Sequence, residues 1–164
     1  MTYAHEVYRT AALMPRNAAA TELTRLYGFR CTVALAWVKG RAVLCGKPVT
    51  EQHHVFIRDR KAARPWCDHP VNQQLVCHSC NADIQKEADS DLNTLCHLHR
   101  VLSLVPDLFA EFWQSAPDAV KEFGQRYQKV GVWYQDCLDG GLEYMLNENI
   151  KVALCDLESE ESNG

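Results

Sequence analysis

The chain has 164 residues, 47% apolar and 23% charged, the balance of one ordinary globular domain or of a small catalytic module with an extension. No run of eighteen apolar residues occurs, which excludes a membrane-spanning helix. The start Met1-Thr2-Tyr3-Ala4-His5-Glu6 lacks the basic-then-apolar order of a secretory signal, so a cytoplasmic setting is expected.

The net charge of −4 argues weakly against a nucleic-acid partner, but it is unevenly placed. Residues 1–66 carry eleven Lys and Arg against four Asp and Glu, and residues 67–164 carry six against seventeen. A polyanion would be drawn to the first part and repelled by portions of the second.

In chain order, residues 1–40 are expected to be mainly helical, interrupted by Pro15, Tyr27-Gly28 and Gly40. Within them Thr32 to Val38 is apolar and β-branched enough for a strand, and periodicity does not separate the two readings. Residues 41–90 change character: Gly46, Pro48, Pro65 and Pro70 punctuate short apolar pieces, and histidines and cysteines concentrate. Val49 to Ile57 suits a short strand, Leu75-Val76 a second, and His78 to Ala88 a helix.

Residues 91–157 are expected to form a helical extension, with Pro117 at a helix start and Gly140-Gly141 between two helices. Val120, Phe123, Tyr127, Val130, Tyr134 and Cys137 form one apolar stripe; Leu142, Met145, Leu146, Ile150, Ala153, Leu154 and Leu157 form another. Such stripes usually face a core, and the spacing over 120–137 suits a homodimer equally well. The acidic tail 158–164 is too polar to fold.

Eight cysteines stand at 31, 45, 67, 77, 80, 96, 137 and 155, with one CxxC, Cys77–Cys80. Without an export signal, metal ligation by a few and burial of the rest is favoured over four disulfides. Cys96-His97-Leu98-His99 lies in a helical stretch rich in leucine, which places Cys96 and one histidine against the core.

The chemistry-bearing pattern is His53-His54, then Asn72, then Asn81 directly after Cys77-His78-Ser79-Cys80. Over residues 41–90 this order resembles the HNH, or ββα-metal, nuclease family. The resemblance implies an α+β fold, a small ββα-metal (HNH) finger embedded in a mostly helical domain. It also implies a metal-dependent endonuclease that hydrolyses DNA phosphodiester bonds, in a bacterial or phage-encoded setting.

Carried over by position, His54 is the general base, since an imidazole can take a proton from water near neutral pH. Asn72 restrains it, by hydrogen bonding to His54 or by fixing its loop. His53, on the opposite face of the strand, and Asn81, opening the helix, are the ligands of a divalent cation that binds the scissile phosphate. Mg2+ is the expected ion, with Mn2+ or another first-row metal open to it because His53 supplies nitrogen where many family members have Asp.

Family members often close a four-cysteine zinc site from two CxxC knuckles. Here Cys77 and Cys80 form the second knuckle, whereas the first keeps only Cys45, with Ala42 where its partner would stand. Either Cys67, His69 or Cys31 supplies a fourth zinc ligand, or no structural zinc is bound and the cysteines pack.

Arg58, Arg60, Lys61 and Arg64 crowd the loop after the base, where phosphate contact competes with simple solvation. Trp66 could stack on a base or pack in the core. The competing functional class is a non-catalytic zinc-finger-like nucleic-acid-binding module. Such a module has no need of His54 with Asn72 but would keep all four zinc cysteines.

Overall fold

The computed structural model describes residues 2–58, 61–84, 87–139 and 146, with residues 87–90 by backbone alone. These residues form an α+β, mostly helical fold of seven α-helices and two two-stranded antiparallel sheets. No described helix is long and apolar enough to cross a membrane.

Helix α1 (Tyr3–Ala12) starts where Thr2 Oγ1 accepts the His5 N–H at 3.2 Å. It buries Ala4, Val7, Tyr8 and Ala11, the one-sided spacing of an amphipathic helix. Helix α2 (Arg16–Tyr27) begins after Pro15 and ends at Gly28, whose φ of 65° suits glycine.

The ambiguous stretch after it is a strand. β1 (Ala34–Val38) pairs antiparallel with β2 (Arg41–Leu44) through a two-residue turn, Lys39 (φ 52°) and Gly40 (φ 80°). Two successive left-handed residues match the twist of a tight hairpin, and they decide strand over helix here.

The second sheet is β3 (Glu51–His54) against β4 (Gln73–Val76), with His53 opposite Gln74 and His54 opposite Gln73. β3 is shorter than the expected 49–57. Val55 still donates to the Asn72 carbonyl at 2.8 Å, but the next two N–H groups turn to the Asn72 side chain and the ladder ends. The long connection carries three 3-10 turns: Lys61–Ala63, Trp66–Asp68 and Pro70–Asn72.

Helix α3 (His78–Asp83) follows β4 at once, and α4 (Glu87–Leu104) begins four residues later, so the single helix expected over 78–88 is two. α4 clamps both sheets. Asn93 Oδ1 accepts the Ala34 N–H at 3.1 Å and the Gln74 amide at 3.0 Å, and Asn93 returns a 2.7 Å bond to Gln74 Oε1. Two polar side chains can be buried at this contact because each satisfies the other.

Helices α5 (Pro106–Gln114), α6 (Asp118–Phe123) and α7 (Gln125–Leu138) complete the described fold. The stripe over 120–137 spans two helices. The chain breaks at Gly124, where a Cβ would stand 2.5 Å from the Val120 carbonyl oxygen, and Phe123 points outward. The second stripe, apart from buried Leu146, and the tail 158–164 lie outside the described residues.

The larger apolar core takes in Tyr8, Trp37, Phe56, Leu98, Phe109 and Val130, and a second, smaller one gathers Cys31, Val33, Val76, Cys77, Cys80 and Ile84 around the start of α3. Phe56, two residues beyond His54, packs edge-on against Phe109 with centroids 5.4 Å apart. Burial of an aromatic of this size contributes roughly 1.5–3 kcal/mol, and it anchors the end of β3 to α5. The divisions expected at 40/41 and 90/91 fall in the β1–β2 turn and inside α4.

Candidate functional site

Four thiols converge at the start of α3. Cys31 N donates to the Lys47 carbonyl at 2.7 Å, Gly46 N returns to the Cys31 carbonyl at 3.0 Å, and Cys45 N donates to the Val33 carbonyl at 3.0 Å. This backbone pairing sets Cys31 beside Cys45. Cys77 caps α3, its Sγ accepting the Cys80 N–H at 3.5 Å, and Cys80 lies in the first turn.

The Sγ atoms of Cys31, Cys45, Cys77 and Cys80 all lie within 4.8 Å of one another, with Cys45 and Cys77 at 3.9 Å. A tetrahedral ion with Zn–S bonds of about 2.3 Å sets its sulfurs ~3.8 Å apart. The four cysteines are free of disulfides, and their arrangement is compatible with a metal site such as zinc.

The cluster is primed to ionise at one end. Burial raises the Cys77 thiol, but the Cys80 N–H, the Ser79 hydroxyl and the neighbouring thiols outweigh it and bring the pKa down to about 6. Burial pushes the Cys31 and Cys80 thiols up. Deprotonating all four would require a cation to offset the accumulated charge. Of the alternatives for a fourth ligand, Cys31 stands in the cluster, while Cys67 and His69 lie elsewhere.

The histidine pair of β3 faces two environments, because successive strand residues point to opposite sides. On the His53 side, Glu51 reaches α3: Oε1 lies 2.5 Å from His78 Nδ1, and Oε2 accepts from Asn81 Nδ2 at 2.5 Å. These bonds hold the Glu51 carboxyl below its usual range, and Glu51 raises His78 in return. Burial, with the Arg126, His54 and Arg58 charges, drives the pKa of His53 down to about 4, so its ring is neutral at pH 7.

Asn81 Oδ1 is buried and has no hydrogen-bond donor among the described residues. This amide oxygen stands beside the Glu51 carboxylate, and His53 shares the strand face of Glu51, but among the described residues the converging groups of metal donors include neither Glu51 nor His53.

On the other side, His54 is 7% exposed and its Nε2 lies 2.9 Å from Asp68 Oδ1. Arg16 Nε donates to Gln52 Oε1 at 3.2 Å and stands 4.0 Å from the same Asp68 oxygen. The Cys67 thiol is adjacent, so that the His54, Cys67 and Asp68 donor atoms lie within 4.8 Å of one another.

Asn72 is fully buried, and among the described residues its side chain hydrogen-bonds backbone groups. Oδ1 accepts from Phe56 N at 2.8 Å and Ile57 N at 3.0 Å; Nδ2 donates to the Ile57 carbonyl at 2.9 Å and the Cys67 carbonyl at 2.7 Å. Of the two roles expected for it, fixing the loop is the one its bonds perform. It stitches the residues after His54 to Cys67, the residue before Asp68.

Arg58, Lys61 and Arg64 are exposed on the loop after β3; Arg60 lies outside the described residues. Trp66 belongs to the core: its ring stacks on Phe112 at 4.3 Å and its Nε1 donates to the Phe112 carbonyl at 2.7 Å. Cys96 and His97 are buried as well. His97 Nε2 donates to the Val71 carbonyl at 2.9 Å, and burial holds its pKa near 3.

Two contributors escaped the sequence reading. Asp68 is a loop carboxylate with no pattern around it. Arg126 arrives from α7, where Nε and Nη2 donate to the Val55 carbonyl at 2.9 and 2.6 Å and Nη2 also reaches Thr94 Oγ1 at 2.9 Å. Arg126, Arg58, Lys129 and Trp133 line a cleft of about 780 Å3.

Comparison with known proteins found no family model, no curated protein and no solved structure that matches the chain.

Proposed function

We propose that the chain is a metal-dependent endonuclease of the HNH type that hydrolyses DNA phosphodiester bonds. The observation that carries this reading is the division of labour between adjacent histidines. His53 shares a strand face with Glu51, whose carboxylate accepts from Asn81 of α3, whereas His54 turns to the opposite face and meets Asp68 at 2.9 Å. The order β3, long loop, β4, α3 supports the same reading.

In this mechanism, His54 donates its Nε2–H to Asp68, which leaves Nδ1 as the basic nitrogen. Nδ1 takes a proton from water, and Asp68 stabilises the imidazolium that results. The hydroxide so formed attacks phosphorus opposite the 3′ oxygen. His53 and Asn81, with Glu51 beside them, would hold the cation, Mg2+ or Mn2+. When bound, that ion supplies positive charge to the scissile phosphate and to the leaving oxygen.

Asn72 keeps the base in place. Arg58, Lys61 and Arg64, joined by Arg60 in sequence, supply phosphate contacts without sequence information. One such site cuts one strand, so a monomer nicks.

The complete set of four thiols gives the second reading, a zinc-supported nucleic-acid-binding module without catalysis, more weight than the sequence did. The His54–Asp68 pair separates the two, because a binding module gains nothing from an oriented imidazole. The test is conversion of supercoiled plasmid to open circles in Mg2+ and in Mn2+. Metal-dependent nicking is expected; DNA binding without nicking in either ion would favour the module.

A further inference from the structure

We propose that His54, Cys67 and Asp68 form a further metal site, distinct from the four-thiol cluster and from the Asn81 side, selective for a thiophilic divalent ion such as Zn2+, whose filling switches the base off. The metal site stands on geometry alone; the switching rests on the nuclease reading above.

The donors are an imidazole nitrogen, a thiol and a carboxylate oxygen, all within 4.8 Å of one another, with Nε2 and Oδ1 at 2.9 Å. Three protein ligands with a fourth position left over is the composition of an open zinc site, in which donor atoms stand roughly 3.3–3.7 Å apart. Small movements of side chains achieve that spacing.

The backbone presenting them is held firmly. Cys67 and Asp68 belong to one 3-10 turn. The Cys67 carbonyl is bonded by Asn72 Nδ2 at 2.7 Å, and the Asp68 carbonyl accepts from Gln73 Nε2. Cys67 is fully buried and His54 nearly so, while the Asp68 side chain is 30% exposed and marks the way in.

Softness sets the selectivity. Mg2+ prefers oxygen ligands in a regular octahedron and has little use for a thiolate, so it would choose the Glu51–Asn81 side and leave this site alone. Zn2+ takes sulfur and nitrogen readily.

Binding has a definite proton balance. The Cys67 thiol gives up its proton to solvent as the metal–sulfur bond forms. The Nε2 lone pair goes to the ion, so the proton that Nε2 carried toward Asp68 moves to Nδ1, and one proton is released overall. Nδ1 is the atom that must accept the proton of water. With Nδ1 already protonated, the base cannot act.

The experiment starts from protein whose four-thiol cluster is loaded with zinc. Cd2+ is titrated in and thiolate-to-metal absorption is followed for wild type, Cys67→Ser, Asp68→Asn and, as a buried control, Cys96→Ser. Wild type and the control should take up one further equivalent with new thiolate absorption; Cys67→Ser should show none, and Asp68→Asn should bind at least tenfold more weakly. Equal uptake by wild type and Cys67→Ser, both folded by circular dichroism, would overturn the site.

Nicking in Mg2+ is then measured with and without equimolar Zn2+. Wild type should slow by at least tenfold, and Cys67→Ser should be insensitive. Uptake of Cd2+ without nicking in Mg2+ alone would refute the nuclease reading and leave the site standing. Zinc-insensitive nicking by wild type would refute the switch.

Discussion

His54 and Asp68 are joined by a single short contact, Nε2 to Oδ1 at 2.9 Å, between the last residue of β3 and the end of a 3-10 turn in the long loop. In the proposed mechanism the carboxylate selects one tautomer of the imidazole and offsets the charge the ring would acquire on taking a proton. Asp68→Asn keeps an acceptor in place but removes the charge. Plasmid nicking by this variant should fall on the order of a hundredfold, within the range a positioned base contributes, with zinc in the four-thiol cluster unchanged. A wild-type rate would show that Asp68 does not act through His54.

Asn72 makes four buried hydrogen bonds with backbone groups. Asn72→Ala strands two N–H and two carbonyl groups in the core, each worth roughly 1–3 kcal/mol when left unpaired in a dry site. Some relaxation is expected, so urea unfolding should show a loss of about 3 kcal/mol or more. A loss under about 1 kcal/mol would mean that the stitch between the two segments is redundant.

The four-thiol cluster ties three separate pieces of chain: the segment entering β1, the residues after β2, and the start of α3. Purified protein should carry at least one zinc per chain by elemental analysis. Cys31→Ser and Cys45→Ser should lower that content and the thermal midpoint together, and a strong chelator should reproduce the loss of stability. Metal-free protein with an unchanged midpoint would refute the site.

Three histidines are held neutral by burial: His53 and His69 with pKa values of about 4, and His97 at about 3. Unfolded, each would bind a proton near the ordinary value of about 6.5. Their contribution to stability is therefore complete above pH 6.5 and is lost as pH falls toward 4. The slope is on the order of 1 kcal/mol per pH unit for each group. Exposed His78, raised by Glu51, runs the other way but lies in solvent, where its effect is small. Urea midpoints should drop steadily between pH 7 and pH 5; a flat profile would contradict the burial of these rings.

The order strand, long loop, strand, helix was legible because Gly, Pro, His and Cys punctuate residues 41–90 so densely. His53-His54 and Cys77-x-x-Cys80-Asn81 were legible as neighbours, since one strand and one helical turn present them. What escaped was carried by long-range contact. Cys31 joins the thiols only through pairing with the chain around Gly46. Asp68 is chosen from many carboxylates by where its 3-10 turn falls, and Arg126 reaches Val55 from a helix far along the chain. The β1 ambiguity was settled by Lys39-Gly40, a turn that local apolar content does not reveal. The break at Gly124 was hidden because the apolar spacing continues across it.

The proposed role of His54 is that of the general base. Its most direct test is the rate of supercoiled-plasmid nicking in Mg2+ by wild type and by His54→Ala at matched zinc content and matched circular dichroism. The substitution should cut the rate by about 10^2–10^4-fold while DNA binding and metal uptake at the Asn81 side persist. Nicking by His54→Ala at the wild-type rate would contradict the assignment.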